Sequence, residues 1–381
     1  MSDSNPPRKL VYVTDLERRL GGGGSYAVNW HAANQLEKRF RLDYAGPLVP
    51  RPPLIETTVS KVQRHVMKRP GRFVYFSPAT LDDNARMVEK HIGPDADGVV
   101  FRSSTRWCRV RPRVPYFVYL DAVFHTFFHN TFEPGSFVSG DVQRIWDEEA
   151  AFLENAAGVF FECEWGLTEA RRAYGLKGNH YYAPGRGDVI DPPEKDTWTP
   201  GTHSLLTVAM NFKQKGGDVV LDAYRLLKPR FPSLAWNVVG AAPEGDWQSL
   251  SGITYAGTLD VDRPADKARL VKLMSEAFAI VHPAREDTSP LVLTETAYFG
   301  CPAVSVNSFA IPELVIDGTT GFLVESPASS SDVAAAITRL IEDETGYVAM
   351  RREARARSIA NYSWTSVGTF ICDKIEERLS A

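Results

Sequence analysis

The chain has 381 residues, enough for two domains at the usual ~100–200 residues each. Hydrophobic residues make up 44% and charged residues 24%, a balance that excludes a disordered chain. The 43 basic and 47 acidic side chains leave a net −4, which gives no electrostatic footprint of a nucleic-acid binder. That average conceals an asymmetry: residues 1–113 hold 20 basic and 11 acidic side chains, a local +9 against −13 in the remainder. A basic first domain suits an anionic partner, either a phosphorylated acceptor or a membrane surface. A scattered, solvated surface stays open as the plain alternative. Cys108, Cys163, Cys301 and Cys372 are widely spaced, without C-x-x-C or zinc-type His partners, as expected of a protein in a reducing cytosol. Residues 1–10 are polar and contain proline, unlike a signal peptide, and no apolar run approaches the ~20 residues of a membrane span. Any membrane contact is expected to be peripheral.

Residues 9–14 read as a first strand, an apolar β-rich run ending at Asp15. Gly21-Gly22-Gly23-Gly24-Ser25 follows, and then a helical pattern over 26–39. Strand, glycine loop and helix open an α/β domain in which the backbone can approach a ligand closely. The spacing is not G-x-G-x-x-G, and a flexible turn is the other reading. Further strands are expected at 72–76, 98–102, 116–120 and 158–162, with helices such as 142–155 and 167–174 between them. Pro184, Gly185, Gly187, Pro192, Pro193 and Pro200 crowd the stretch 182–200, which reads as a linker and domain boundary. The second half alternates regularly. Strands are expected at 205–209, 235–239, 253–256, 278–282, 303–306 and 322–324, with helices at 218–227, 264–277, 290–299, 311–315 and 332–342. Such alternation predicts βαβ units and a parallel sheet covered on both faces, with ligands beyond the carboxyl ends of the strands. A final helix is expected at 365–379, after Tyr362-Ser363-Trp364.

The most informative stretch runs from Val281 through His282-Pro283-Ala284-Arg285-Glu286-Asp287-Thr288-Ser289-Pro290-Leu291-Val292-Leu293-Thr294-Glu295 to Gly300-Cys301-Pro302. Ser289 suits a helix N-cap, Pro290 the first helical position and Gly300 a left-handed stop. The helix would start just after a strand, aiming free amides and the positive end of its dipole at a phosphate. Glu295, eight residues after Asp287 and among apolar neighbours, suits paired sugar hydroxyls.

This stretch resembles the acid–seven residues–acid signature of the retaining family-4 glycosyltransferases, which have the two-domain GT-B fold. Gly300-Cys301-Pro302-Ala303-Val304, then residues 311–318 and Gly321-Phe322-Leu323-Val324, are similar to the same family. So is Asn211-Phe212-Lys213-Gln214-Lys215-Gly216-Gly217-Asp218, like the family's phosphate-binding loop. The resemblance covers nearly all of residues 204–325 in order. It implies that Asp287, with Glu286 beside it, touches the hydroxyls of the donor sugar; the family usually has Glu at this position. Thr288, Ser289 and Pro290 would form the turn, and Pro290 stands where Gly is common. The amides of Leu291 and Val292 would receive the distal phosphate, Glu295 the ribose, and Lys215 the diphosphate. Met210 stands where an Arg often precedes that lysine, which leaves Lys213 as the nearby spare cation.

In the first domain, Gly22, Gly23 and Gly24 resemble the loop beside the donor phosphates. The strand 115–120 resembles the one ending in the family's cleft His, with Asp121 in its place. Asp121 reads as a cleft carboxylate or as an ordinary capping Asp, and His125 and His129 lie close behind. Phe124, Phe127, Phe128, Phe132 and Phe137 read chiefly as core, with a docking loop as the alternative. The clusters Lys61, Arg64, Lys68, Arg69 and Arg72, and Arg102, Arg106, Arg109, Arg111 and Arg113, read as solvated surface or as a patch for anionic lipid.

The resemblance therefore implies an α/β protein of two Rossmann-like domains facing across a cleft: an acceptor domain at 1–193, a nucleotide-sugar domain at 194–362 and a helix at 363–381 crossing back. It implies a retaining hexosyltransferase with a nucleoside-diphosphate sugar as donor and a glycan, lipid-linked or small-molecule acceptor. No metal, cofactor or nucleic acid is expected, and peripheral membrane contact is left open. A catalytically silent sugar-nucleotide binder is the alternative. A nicotinamide dehydrogenase would need a close G-x-G-x-x-G with an acid ~20 residues on, and neither is found in context.

Overall fold

The computed structural model describes residues 7–49, 52–185 and 193–381. Gly187 and Pro192 of the expected linker and the start of the chain through Pro6 lie outside them. Two units emerge: the first comprises the described parts of Met1–Arg18, Asn29–Pro184 and Thr365–Ala381, the second those of Arg19–Val28 and Gly185–Trp364. The glycine segment therefore groups with the second unit and not with the first, as its place in the sequence suggests. Gly21 N donates to Asp262 Oδ1 (3.0 Å), and Arg19 pairs with Asp260 (3.4 Å) and Asp262 (3.2 Å).

The first unit contains β1 (Lys9–Val13), α1 (Gly24–Glu37, its first residues grouped with the second unit), β2 (Arg41–Ala45), α2 (Leu54–His65) and α3 (Pro78–Glu89). β3 (Gly98–Arg102), β4 (Tyr116–Leu120), α4 (Phe124–Thr131), α5 (Ser139–Glu154), β5 (Gly158–Phe161), α6 (Glu164–Tyr174) and β6 (His180–Tyr182) follow. All strand pairs are parallel, in the order β2-β1-β3-β4-β5-β6. β3 and β5 are buried along their whole length, the pattern of a sheet covered on both faces. Residues 72–76 are not a strand. Val74–Phe76 forms a 3₁₀ turn, because Phe73 and Phe76 stack (5.6 Å) and join Phe124 and Phe137 in a separate aromatic core.

The second unit contains β7 (Ser204–Ala209), α7 (Gly217–Leu227), β8 (Ala235–Gly240), β9 (Ile253–Gly257), α8 (Pro264–Glu276), β10 (Ala279–His282) and α9 (Leu291–Tyr298). It continues with β11 (Ala303–Val306), α10 (Ile311–Leu314), β12 (Gly321–Val324), α11 (Ser330–Glu342) and α12 (Glu344–Asn361). Its sheet order is β12-β11-β10-β7-β8-β9, so the chain reverses direction between β7 and β10. The apolar strands fill one core with α7, α9 and α11. The polar, Arg-rich α12 was not foreseen. Its inner face, Tyr347, Met350, Arg351, Ala354 and Ser358, follows helical spacing but includes a charge. That buried Arg351 is held by Asp196 (2.6 Å) and by the Phe299 carbonyl (2.7 Å).

The last helix, α13 (Trp364–Ser380), packs on first-unit residues. Arg39 bonds Asp373 (3.0 Å) and pairs with Glu376, while Arg378 bonds Asn179 (2.6 Å). Among the described residues, no helix is long and apolar enough to cross a membrane.

Candidate functional site

At the reversal point of the second sheet, the loops after β7 and β10 lie side by side, since these strands pair through Ala279↔Leu205 and Ile280↔Leu206. In an open α/β sheet, this is where a crevice forms beyond the strand ends. The first loop is tightly wound. Asn211 Oδ1 accepts from Gln214 N (3.1 Å), and the Asn211 carbonyl accepts from Lys215 N (3.1 Å). Gly216 closes it at φ +76°, where a Cβ would lie 2.1 Å from the Pro283 carbonyl oxygen. Only glycine permits that approach of the two loops.

Across this seam, Lys215 Nζ bonds Asp287 Oδ2 (2.8 Å) and the Glu286 carbonyl (3.0 Å). Gln214 bonds Glu286 Oε2 (2.9 Å), and Arg285 grips Asp218 with both guanidinium nitrogens (2.7 and 2.8 Å). Lys213 contributes its carbonyl to Arg285. His282, the last residue of β10 and almost fully buried, meets Asp287 Oδ2 through Nε2 at 3.0 Å. Burial alone would raise the Asp287 pKa, but the His282 hydrogen bond and the nearby Lys215 charge outweigh it and hold the carboxyl down at about 2. Asp287 is thus a fixed anion at neutral pH.

The start of α9 corrects the expected capping. Ser289 does not cap the helix and Pro290 is not its first residue. Pro290 is itself the N-cap with ψ 114°, an extended value that leaves Leu291 as the first helical position. The amides of Leu291 and Val292 precede the first intrahelical bonds, as at every helix N-terminus, and neither has a backbone acceptor among the described residues. Thr288 braces the turn through its carbonyl, which accepts from Ala310 N (3.1 Å). Gly300 takes the left-handed conformation expected of a stop (φ +74°). Glu295, half-buried on α9, shows no hydrogen bond among the described residues, and desolvation pushes its carboxyl up to about 7. Gly22 and Gly23 have positive φ (+111° and +104°), and a Cβ on Gly24 would lie 3.3 Å from the Leu291 side chain. The glycine segment and the start of α9 are therefore neighbours within the second unit, while Met210 is exposed.

Residues 193–357 match the family model described as glycosyl transferases group 1. The second unit is thus similar to the group 1 glycosyltransferases. It is 27% identical over 177 residues to a glycogen synthase of Mycobacterium tuberculosis, covering 44% of this chain and 41% of that protein. It is 29% identical over 217 residues to a D-inositol 3-phosphate glycosyltransferase of Corynebacterium aurimucosum, covering 50% and 51%. The match thus spans about half the length of these curated relatives, or less. Among solved structures, a sucrose-phosphate synthase of Thermosynechococcus elongatus superposes with TM-score 0.72 at 15% identity over 98% of this chain and 99% of that one. HepE of Anabaena, in complex with UDP, gives 0.64 at 16% identity over 97% and 100%. At such identity the likeness establishes the fold, GT-B with two Rossmann-like α/β units.

The remaining candidates belong to the first unit. Asp121 follows β4, exposed; its Oδ1 accepts from the adjacent Ala122 amide (2.8 Å) and its carbonyl from Cys163 Sγ (3.5 Å). His125 and His129 share α4 with ring centroids 4.3 Å apart, and His125 lies 4.8 Å from the Trp146 ring. Burial, then His129 and Arg172, lowers the His125 pKa. Phe124, Phe128 and Phe137 are core residues, and Phe127 is exposed. Sequence reading missed three residues that shape the second unit: His282, Gln214 and Gly216. The signal for His282 was its position, a polar residue ending an otherwise apolar strand just before proline. Among the described residues, no three His, Cys, Asp or Glu side chains are grouped to hold a metal ion.

Proposed function

We propose that the protein transfers a hexosyl group from a nucleoside-diphosphate sugar to an acceptor hydroxyl, with retention of configuration and without a metal. The observation that carries this reading is the seam of the second unit. There a lysine pairs with a permanently ionised aspartate that shortly precedes the N-terminus of α9, and α9 carries a carboxyl, Glu295, with no hydrogen bond among the described residues. A leaving diphosphate needs positive potential set in advance, and Lys215 with the Leu291 and Val292 amides supplies it. Lys213 lies on the same loop as a further cation. Asp287, kept ionised, accepts hydroxyls of the sugar, with Glu286 beside it. Glu295 accepts the ribose hydroxyls that its environment withholds. Gly22, Gly23 and Gly24 leave room for the phosphates, and Thr288, Ser289 and Pro290 shape the turn over them. The departing phosphate takes the acceptor proton. Asp121 binds acceptor or sugar hydroxyls, and the acceptor is a glycan, a lipid-linked sugar or a small molecule. The names of the relatives support this reading: a glycogen synthase, an inositol-phosphate glycosyltransferase and a structure holding UDP.

A thermal-shift screen over sugar nucleotides tests it. At least one sugar nucleotide should stabilise the protein more than its free base or sugar does, and should release nucleoside diphosphate when acceptors are added. No stabilisation by any sugar nucleotide would overturn the reading. Stabilisation without turnover across a broad acceptor panel would reduce it to binding alone.

A further inference from the structure

Helix α2 is amphipathic with its faces reversed. Ile55, Val59, Val62 and Val66 recur at the spacing of one helix face, and they are 81%, 51%, 42% and 73% exposed. The opposite face meets the protein through polar groups. Ser60 is buried and donates to the Arg72 carbonyl (2.7 Å), and the Arg64 guanidinium lies over the Phe137 ring (4.4 Å). Leu54 (84% exposed) and Met67 (51%) extend the apolar surface at either end. An ordinary surface helix would turn such a stripe toward the core. Around it stand Lys61, Lys68, Arg69 and Arg72, all exposed, and none pairs with a carboxylate among the described residues. Over residues 52–72 the chain has five basic side chains and one acidic one, Glu56.

We propose that α2 lies flat on an anionic lipid surface, with Ile55, Val59, Val62 and Val66 inserted at the level of the headgroups. Charge complementarity selects this occupant. A second copy seated on the same stripe would bring two basic clusters together, whereas acidic headgroups meet the cations while the acyl region takes the aliphatic face. The inference does not depend on the donor chemistry of the second unit.

Flotation of the full-length protein with phosphatidylcholine vesicles, with and without about one third phosphatidylserine, tests it. Binding is expected only with phosphatidylserine, and should fall when salt is raised from about 0.1 M to about 0.5 M. Val59→Glu with Val62→Glu changes exposed positions and should lower partitioning by roughly tenfold or more. Lys61→Gln, Lys68→Gln and Arg69→Gln together should lower it by a similar factor and flatten the salt dependence. Equal flotation with neutral vesicles overturns the proposal, as does unchanged binding of folded variants of either set. A concentration-dependent dimer that the valine variant dissociates, without vesicle binding, assigns the stripe to a second copy and overturns it as well.

Discussion

Both units are six-stranded parallel sheets with a reversal in strand order, yet the groups at their strand ends are held in different ways. In the second, Lys215, Asp287 and His282 are joined across two loops that are each short and continuous in sequence. In the first, the corresponding loops after β1 and β3 meet in an Asp15–Arg106 pair (3.0 Å), and Arg102 and Glu162 form a buried pair (2.7 Å) at the ends of β3 and β5. Glu149, fully buried, gathers donors from Ser104 (2.5 Å), Thr105 (2.7 Å), Tyr174 (2.5 Å) and the Phe124 amide (2.8 Å). These contacts draw on strands and helices far apart in the chain. The carboxylate of Asp121, the candidate that sequence singled out, bonds its neighbour's amide and no distant group among the described residues. A site made of two local loops can be written as a motif, and one assembled from distant strand ends cannot.

The largest expected effect sharpens this contrast at Lys215. A diphosphate leaving group loses the lysine that pairs with Asp287, so Lys215→Ala should lower turnover by roughly 10²–10³ at saturating donor. Activity should persist in excess chelator. A change within about twofold would mark Lys215 as a surface residue, and loss of activity with chelator would show that a metal handles the leaving charge.

Glu295 comes next. Replacing it with Gln should weaken donor binding by about 1.5–3 kcal/mol, the value of a hydrogen-bonded charge. Its pKa near 7 fixes the sign of a pH effect. At pH 6 most of the free protein carries the protonated acid, which must lose its proton to accept two hydroxyls. Donor affinity should therefore rise from pH 6 to pH 8, and Glu295→Gln should flatten that rise. Calorimetric titration of the donor at both pH values reads it. A pH-independent dissociation constant would remove Glu295 from the ribose site.

The smallest expected stability effect belongs to the first unit. The Asp121 carboxylate is exposed and its only bond among the described residues is to the adjacent Ala122 amide, so Asp121→Asn should shift unfolding free energy by no more than about 0.5 kcal/mol. Acceptor KM should rise while donor affinity stays constant. Unchanged acceptor kinetics would leave it an ordinary end-of-strand residue.

The strands of the second half were legible because each is a short apolar run between Gly, Pro or Asp signals, and the seam residues lay within a few positions of them. The capping at Pro290 was not, because Ser289 and Pro290 both fit a helix start and only the backbone angle separates them. β2 was obscured by charge: Arg41 and Asp43 interrupt its apolar pattern at the sheet edge. The reversed polarity of α2 is visible as a periodic stripe in sequence, but the direction of that stripe belongs to tertiary structure alone.

The return of α13 to the first unit has a consequence for biosynthesis. Arg39 and Asn179 await partners at Asp373, Glu376 and Arg378, which leave the ribosome after the whole second unit. The second unit ends at Trp364 and can close its core while those partners are still being made. Order of synthesis and order of completion are thus inverted between the two units: the one begun earlier is completed later. A premature stop within α13 should therefore injure the first unit and leave the second able to fold.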